Sequence, residues 1–239
     1  MSEAINIALS KQVGIFNKID VIANNVANVD TAGFRKQMII NSSKEVRNGN
    51  ETVSYPGSAT TIIDTSAGAV SYTNRPLDMA IMGEGYFKIN SPLGPRYSRD
   101  GRFHTDGNGV LVDGNFFPVA SIDGDVITIT QGGEVSVNHS GQVMVDGALV
   151  GQVGIFNFAN QELLQPVGGG MYKTDQQESV ASSYEVIGGA YEGSNVKSVL
   201  EMQDLIETQN YSSMTNNIIN IVEEMEQNAV KSLADSAKQ

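Results

Sequence analysis

At 239 residues the chain can bury a core in one or two domains, and its 40% hydrophobic and 18% charged content is ordinary for a folded protein. The 15 Lys and Arg against 27 Asp and Glu leave a net charge of −12, which argues against a grip on nucleic acid or on an anionic membrane, because both need clustered cations. No cysteine is present, which excludes a disulfide framework.

Residues 2–28 predict a helix. Ser2 can cap it, Glu3 suits its N-terminus, and no Pro interrupts it. Ile5, Ala8, Gln12, Ile15, Ile19, Ile22 and Val26 follow an unbroken 3-4-3-4 spacing, with Leu9, Phe16 and Ala23 widening the stripe on one side. A heptad held this long points to packing against another helix, although an amphipathic helix lying on its own domain has the same pattern. The same stretch lacks a basic segment followed by an apolar run, so no cleaved leader peptide is expected. No run approaches the ~18 apolar residues a membrane-spanning helix needs, so no membrane insertion is expected either.

Residues 36–193 read as β structure, holding nearly all the Gly and every Pro. Lys36–Gly68 is polar and irregular, and suggests an extended arm. Beyond it, short alternating runs at Ala69–Thr73, Tyr86–Asn90, Val110–Val112, Val126–Thr130, Glu134–Val137, Gln142–Val145 and Val153–Phe158 predict strands. Asp-Gly pairs at 100–101, 113–114, 123–124 and 146–147 are hairpin signals, since both residues tolerate positive φ. The pattern predicts an antiparallel barrel or sandwich.

The last segment predicts a helix of about 35 residues, far beyond the ~11 of an average globular helix. Ser198 and Glu201 read as a capping box. Val199, Met202, Ile206, Met214, Ile218, Ile221, Met225 and Ala229 form its stripe, with a stutter near Asn210. Residues 2–28 are its natural partner in length. The expected fold class is therefore α+β: N- and C-terminal α-helices paired as a coiled coil, with an inserted antiparallel all-β domain. The expected segments are 1–35 for the first helix and its turn, 36–74 for an extended β-like arm, 75–193 for the antiparallel β domain and 194–239 for the last helix. The first 35 residues are neutral, whereas 195–239 carry three cations against seven acids, so the start of the chain is the less self-repelling end.

Chemistry is sparse. His104 and His139 have no second ligand at a metal-binding spacing, and the loop 106–109 lacks the later ligands of a calcium site. Gly83–Gly85 and Gly168–Gly170 do not follow a phosphate-loop pattern, and no G-x-S-x-G elbow occurs. Asp123 and Asp125 share a strand face without an assignable acid partner. Arg96, Arg99 and Arg102 form the one basic cluster, most simply read as cations that meet acids of a neighbour. The expectation is a non-enzyme with no catalytic residue, no metal and no cofactor. A hydrolase using Asp123 and Asp125, and a secreted binding module carried on a coiled-coil stalk, remain open at this point.

Residues 20–34, DVIANNVANVDTAGF, closely resemble the N-terminal signature of flagellar rod and hook proteins, a helix ending in A-N-N-x-A-N followed by x-x-T-x-G-F/Y. The RPLDMAIMGEGYFKI stretch from Arg75, the RYSRDGRF and DGNGVLV stretches, and the last helix with Ser194-Asn195-Val196, Gln209 and Tyr211 are similar to the same family. Its last helix departs from the family pattern at Asn210 and Ser212. The short length and the TNRPLD stretch look most like proximal-rod members; distal-rod or hook-type members are the alternative. The resemblance implies a structural subunit of the basal-body rod in the periplasm, exported without cleavage by the flagellar type III apparatus. Its partners would be further copies of itself and the rod proteins above and below. It would polymerise through its terminal helices to transmit torque, line the export channel and support motility. The residues expected to make that assembly interface are Ile5, Gln12, Ile15, Ile19, Ile22, Asn24, Asn25, Val26, Asn28, Thr31, Gly33 and Phe34 near one end. At the other they are Met202, Ile206, Gln209, Tyr211, Met214, Ile218, Ile221 and Met225. The amide of Asn25 is expected to fix register between subunits.

Overall fold

A computed structural model of the chain describes residues 2–48, 51–130 and 132–236, with side chains described for 8–40, 60–130, 132–225, 227–228 and 231. A first helix, α1, covers Ser2–Ala27, and a second, α2, covers Ser198–Ser236. Among the described residues between them, regular structure is β apart from one 3-10 turn at Gln161–Leu163. The fold is α+β, a β-rich region inserted between two long helices. The chain divides into two compact units. One holds the residues up to Val26, Gln37–Thr61 and those from Lys197 on; the other holds Ala27–Lys36 and Ile62–Val196.

In the first unit, the polar segment after α1 forms a hairpin within the stretch expected as an extended β-like arm: Gln37–Asn48 pairs with Glu51–Ile63 in a two-stranded sheet. The start of α2 also differs from the capping-box reading. The carbonyl of Lys197 accepts the amide of Glu201, which makes Lys197 the cap and puts Ser198 one residue inside the helix.

The second unit is antiparallel throughout its named strands. Its central sheet has six strands in the order Gln165–Gly168, Met171–Lys173, Gly94–Ser98, Tyr86–Ser91, Ile155–Asn157 and Ser179–Val180. The alternation of the Tyr86–Ser91 strand explains the two-sided core. Phe87 and Ile89 point to one face and join Met79, Ile81, Phe103, Leu111, Val119, Ile127, Val143, Val153 and Val186. Tyr86 points to the other, with Ile63, Tyr97, Phe156, Phe158, Leu164 and Tyr172. Rings meet edge-on in both layers, Phe87 with Phe103 at 5.0 Å and Tyr97 with Phe158 at 4.6 Å. Each such buried side chain contributes about 1.5–3 kcal/mol by leaving water.

Smaller ladders close the unit. Met79–Gly83 pairs with Tyr184–Gly188, Val70–Tyr72 with Ala190–Glu192, His104–Thr105 with Leu111–Val112, and Gln142–Val145 lies between Val135–Val137 and Ala148–Gln152. The run Val126–Thr130, expected as a strand, makes only isolated bridges, Ala120 with Val126 and Val110 with Thr128. Its Ile127 and Ile129 side chains are nonetheless buried, so the alternation is real while the ladder is broken.

Candidate functional site

The residues expected to carry assembly fall into four groups, the last of them the turn after α1. The first is the face of α1 set by the heptad. Gln12 and Ile22 are buried, and Ala8, Ile15, Ile19 and Val26 are half-buried, on one side of the helix. The side chain of Ile5 lies outside the described residues. Leu9, Val13 and Phe16 are exposed beside this face.

The second group joins α1 to α2 within the first unit. Gln12 Nε2 donates to Ser212 Oγ at 2.9 Å, and Asn25 Nδ2 donates to Glu201 Oε2 at 2.9 Å. Passing up α1 from Gln12 to Asn25 passes down α2 from Ser212 to Glu201, so the helices run antiparallel at these two levels. The Asn25 amide is also committed to the strand that follows: Nδ2 donates to Gln37 O and Oδ1 accepts Gln37 N. Asn25 is 1% exposed, so these bonds, all within one chain, replace its hydration. The amide therefore fixes the chain's own path, which differs from a role between subunits. Asn24 Oδ1 accepts from Gln37 Nε2 at 3.2 Å beside it.

The third group is the apolar stripe of α2, and here the structure separates two faces that the sequence blends. Glu201, Leu205, Thr208, Ser212, Thr215, Ile219 and Val222 are buried or half-buried at strict 4-3-4-3-4-3 spacing. This is the face that reaches α1. It escapes a hydrophobic-periodicity search because four of its seven members are polar. Thr208 and Thr215 satisfy their hydroxyls on the carbonyls of Asp204 and Tyr211, one turn back, and so sit in the seam without an external partner. Heptad spacing of small hydroxyl residues was the available signal. The stripe expected from the sequence, Met202, Ile206, Met214, Ile218, Ile221 and Met225, together with Gln209 and Tyr211, lies on exposed faces of α2. The six apolar members are each 55–61% exposed. Val199, Met202, Gln203, Ile206, Glu207 and Asn210 line a shallow groove of about 400 Å³ on that side.

The turn after α1 belongs to the second unit. Thr31 N and Oγ1 donate to Asn28 O and Oδ1, and Gly33 adopts φ +66°. A Cβ on Gly33 would strike the backbone at Arg99 and Asp100, so both conformation and space require glycine. Phe34 is buried behind it. Arg35 follows, 2% exposed, with Nη2 on Glu192 Oε1 at 2.9 Å. Arg99, from the basic cluster, meets the other oxygen of Glu192 at 3.3 Å and donates to the carbonyls of Ile81 and Gly83. The expectation that these arginines face a neighbour's acids thus fails for Arg99, whose acid partner is in its own chain. Arg102 is bidentate to Asp100, and its guanidinium lies over the Tyr191 ring. Burial lowers the Arg99 pKa and raises that of Tyr86 against it.

Among the described residues no group of three His, Cys, Asp or Glu could hold a metal ion, and no helix is long and apolar enough to cross a membrane. His104 stacks edge-on against Phe116, and His139 meets Glu185 at the surface.

Three family models match the chain. Residues 17–35 match the flagella basal body rod protein model, 80–145 the flagellar hook protein FlgE/F/G D1 domain, and 187–232 the flagellar basal body rod FlgEFG protein C-terminal model. Flagellar basal-body rod protein FlgF of Mesorhizobium japonicum is 31% identical over 241 residues, spanning 99% of this chain and 100% of that protein. The chain belongs to the flagellar basal-body rod protein family. FlgF of Caulobacter vibrioides is 29% identical over 98% of both chains, and FlgG of Bacillus subtilis 33% identical over 82% of this chain and 83% of its own. The matched segments cover both helix roots and residues 80–145 of the β unit, and include Gly33, Arg35, Arg99 and Glu192.

Proposed function

We propose that this chain is a structural subunit of the bacterial flagellar basal-body rod, of the FlgF kind, which assembles through its terminal helices. The two FlgF relatives that align over 98–100% of both chains favour the proximal over the distal rod. One observation carries the assembly reading. A row of large apolar side chains on α2 stands in water, while the heptad from Glu201 to Val222, polar at four of seven positions, is buried or half-buried. Exposed apolar surface of this extent marks a site that a partner covers.

In this reading α1 and α2 form an antiparallel coiled coil. The Gln12–Ser212 and Asn25–Glu201 bonds support it by specifying one register, as buried polar pairs do in other helix pairs. Copies of the chain and the rod proteins above and below cover the outer stripe, and the helices line the export channel. The chain reaches the periplasmic rod through the flagellar type III apparatus, and its work is mechanical rather than catalytic.

The deciding experiment is cryo-microscopy of isolated basal bodies from cells carrying a tagged chain, with deletion of its gene as companion. Density for the chain in the proximal rod and loss of swimming on deletion are expected. A chain absent from basal bodies, or dispensable for swimming, overturns the proposal.

A further inference from the structure

Glu192 is a hub for four stretches of the second unit that are far apart in sequence. Its Oε1 receives Arg35 Nη2 at 2.9 Å and the amide of Gly68 at 2.8 Å; its Oε2 receives Arg99 Nη1 at 3.3 Å; its backbone carbonyl receives the amide of Gly33 at 2.8 Å. Arg99 extends the hub to Ile81 and Gly83, and Arg35 extends it to the carbonyl of Ser66. Three residues on, Asn195 repeats the stitch without charge. Its Oδ1 accepts the amide of Lys36, its own amide donates to Phe34 O, and its Nδ2 donates to Asp64 O and Ser66 O.

The charges do not balance locally. Arg35, Arg99 and Glu192 are each 1–2% exposed, so two buried guanidinium groups share one carboxylate. The Nε of each arginine has no hydrogen-bond partner. Tyr172 and Tyr86 are the aromatic floor: the Tyr172 hydroxyl accepts the amide of Arg35, and the Arg99 guanidinium lies 5.2 Å from the centre of the Tyr86 ring. Without Glu192, docking the Gly33–Lys36 turn would place two uncompensated cations in a dry site, and buried unpaired charge is strongly unfavourable.

We propose that Glu192 is a charge-gated lock: the turn that leaves α1 docks on the β unit only when Glu192, from the far end of that unit, arrives to neutralise Arg35 beside Arg99. The turn at residues 31–36 is thereby tied to the presence and docking of residues 190–195, more than 150 positions later in the chain. A chain that has not yet produced or placed its C-terminal strand keeps this turn undocked, whatever the state of the sheet core. The helix roots are set last, and set together.

The test uses the full chain, with native amide exchange and tryptic cleavage after Arg35 and Lys36 as readouts. Glu192→Gln keeps the size and part of the hydrogen bonding but removes the charge. It is expected to raise exchange of the Gly33 and Phe34 amides and cleavage at Arg35 by roughly a hundredfold, while Phe87 and Ile89 stay protected. Arg35→Met, which leaves Arg99 and Glu192 as a balanced pair, is expected to keep the Gly33 amide protected within about threefold of the parent. Glu192→Gln with Arg35→Met is expected to recover most of the protection that Glu192→Gln alone loses. Three outcomes overturn the lock: unchanged exchange in Glu192→Gln, loss of protection at Phe87 and Ile89 in step with the turn, or no recovery in the double variant.

Discussion

Three turns in the β unit, starting at Asp106, Asp113 and Asn138, are built on one plan. In each, the side-chain Oδ1 accepts the amides two and four residues on, and the backbone carbonyl accepts the amide three residues on. The fourth residue must take positive φ: Gly109 at +83°, Gly141 at +75°, and Phe116 at +64°. Phe116 is thus an exposed aromatic where its two counterparts have glycine, held there by the Asp113 bonds and by the His104 ring. Phe116→Gly is expected to raise stability by about 0.5–1 kcal/mol in urea unfolding, since relief of the left-handed cost exceeds the entropy glycine adds. Gly33→Ala is expected to lower it by more than about 2 kcal/mol in the same assay, because conformation and clash add. The Asp106 carboxyl is held below its ordinary range, chiefly by the Val110 amide. Its contribution is present above the unfolded carboxyl pKa of about 3.9 and is lost as pH falls through the lower folded value. Asp106→Asn, which copies the chemistry of Asn138, is expected to remove that acid-sensitive part of the midpoint while leaving the turn intact.

The helices show how two faces can share one periodicity. On α1 the described heptad residues are buried or half-buried, and Asn25 is buried beside them. On α2 the buried heptad of Glu201, Leu205, Thr208, Ser212, Thr215, Ile219 and Val222 lies beside an apolar stripe that stays in water. Ile218→Asp is therefore expected to leave urea unfolding of the lone chain within about 0.5 kcal/mol of the parent, while incorporation into basal bodies is lost. Asn25→Leu should do the reverse of what a purely inter-subunit amide would. It strands the amide and carbonyl of Gln37 and removes a donor from Glu201, so unfolding followed by helical circular dichroism should show a loss of about 1–3 kcal/mol in the isolated chain.

At the scale of the molecule, the two units differ in what holds them. The β unit has two apolar layers around one sheet, closed further by the Glu192 hub. The helical unit leaves Leu9, Val13 and Phe16 of α1 and the α2 stripe exposed, and helices depend on tertiary burial for most of their stability. Heating the isolated chain should therefore give two transitions. The helical signal at 222 nm is expected to fall first, and the near-ultraviolet signal of the buried tyrosines later. A single coincident transition would show that the units depend on each other.

The α+β class, both long helices and the turn at Asp146-Gly147 follow from local pattern: heptads without Pro, an Asp-Gly pair, and alternation within short strands. These are short-range effects, governed by backbone preference and the periodicity of side chains, and one sequence states them directly. The strands Gln165–Gly168 and Met171–Lys173 carry no such pattern and are held by pairing and by the burial of Tyr172. The partners of Arg35, Arg99 and Asn25 were also hidden, because a charge or amide in sequence does not say whether it meets water, its own chain or a neighbour. Only the tertiary structure decided that Glu192 neutralises two arginines, that the Asn25 amide closes on Gln37 and Glu201, and that α2 turns its polar heptad inward. In each case burial, which local sequence does not encode, determines which polar partner a residue requires.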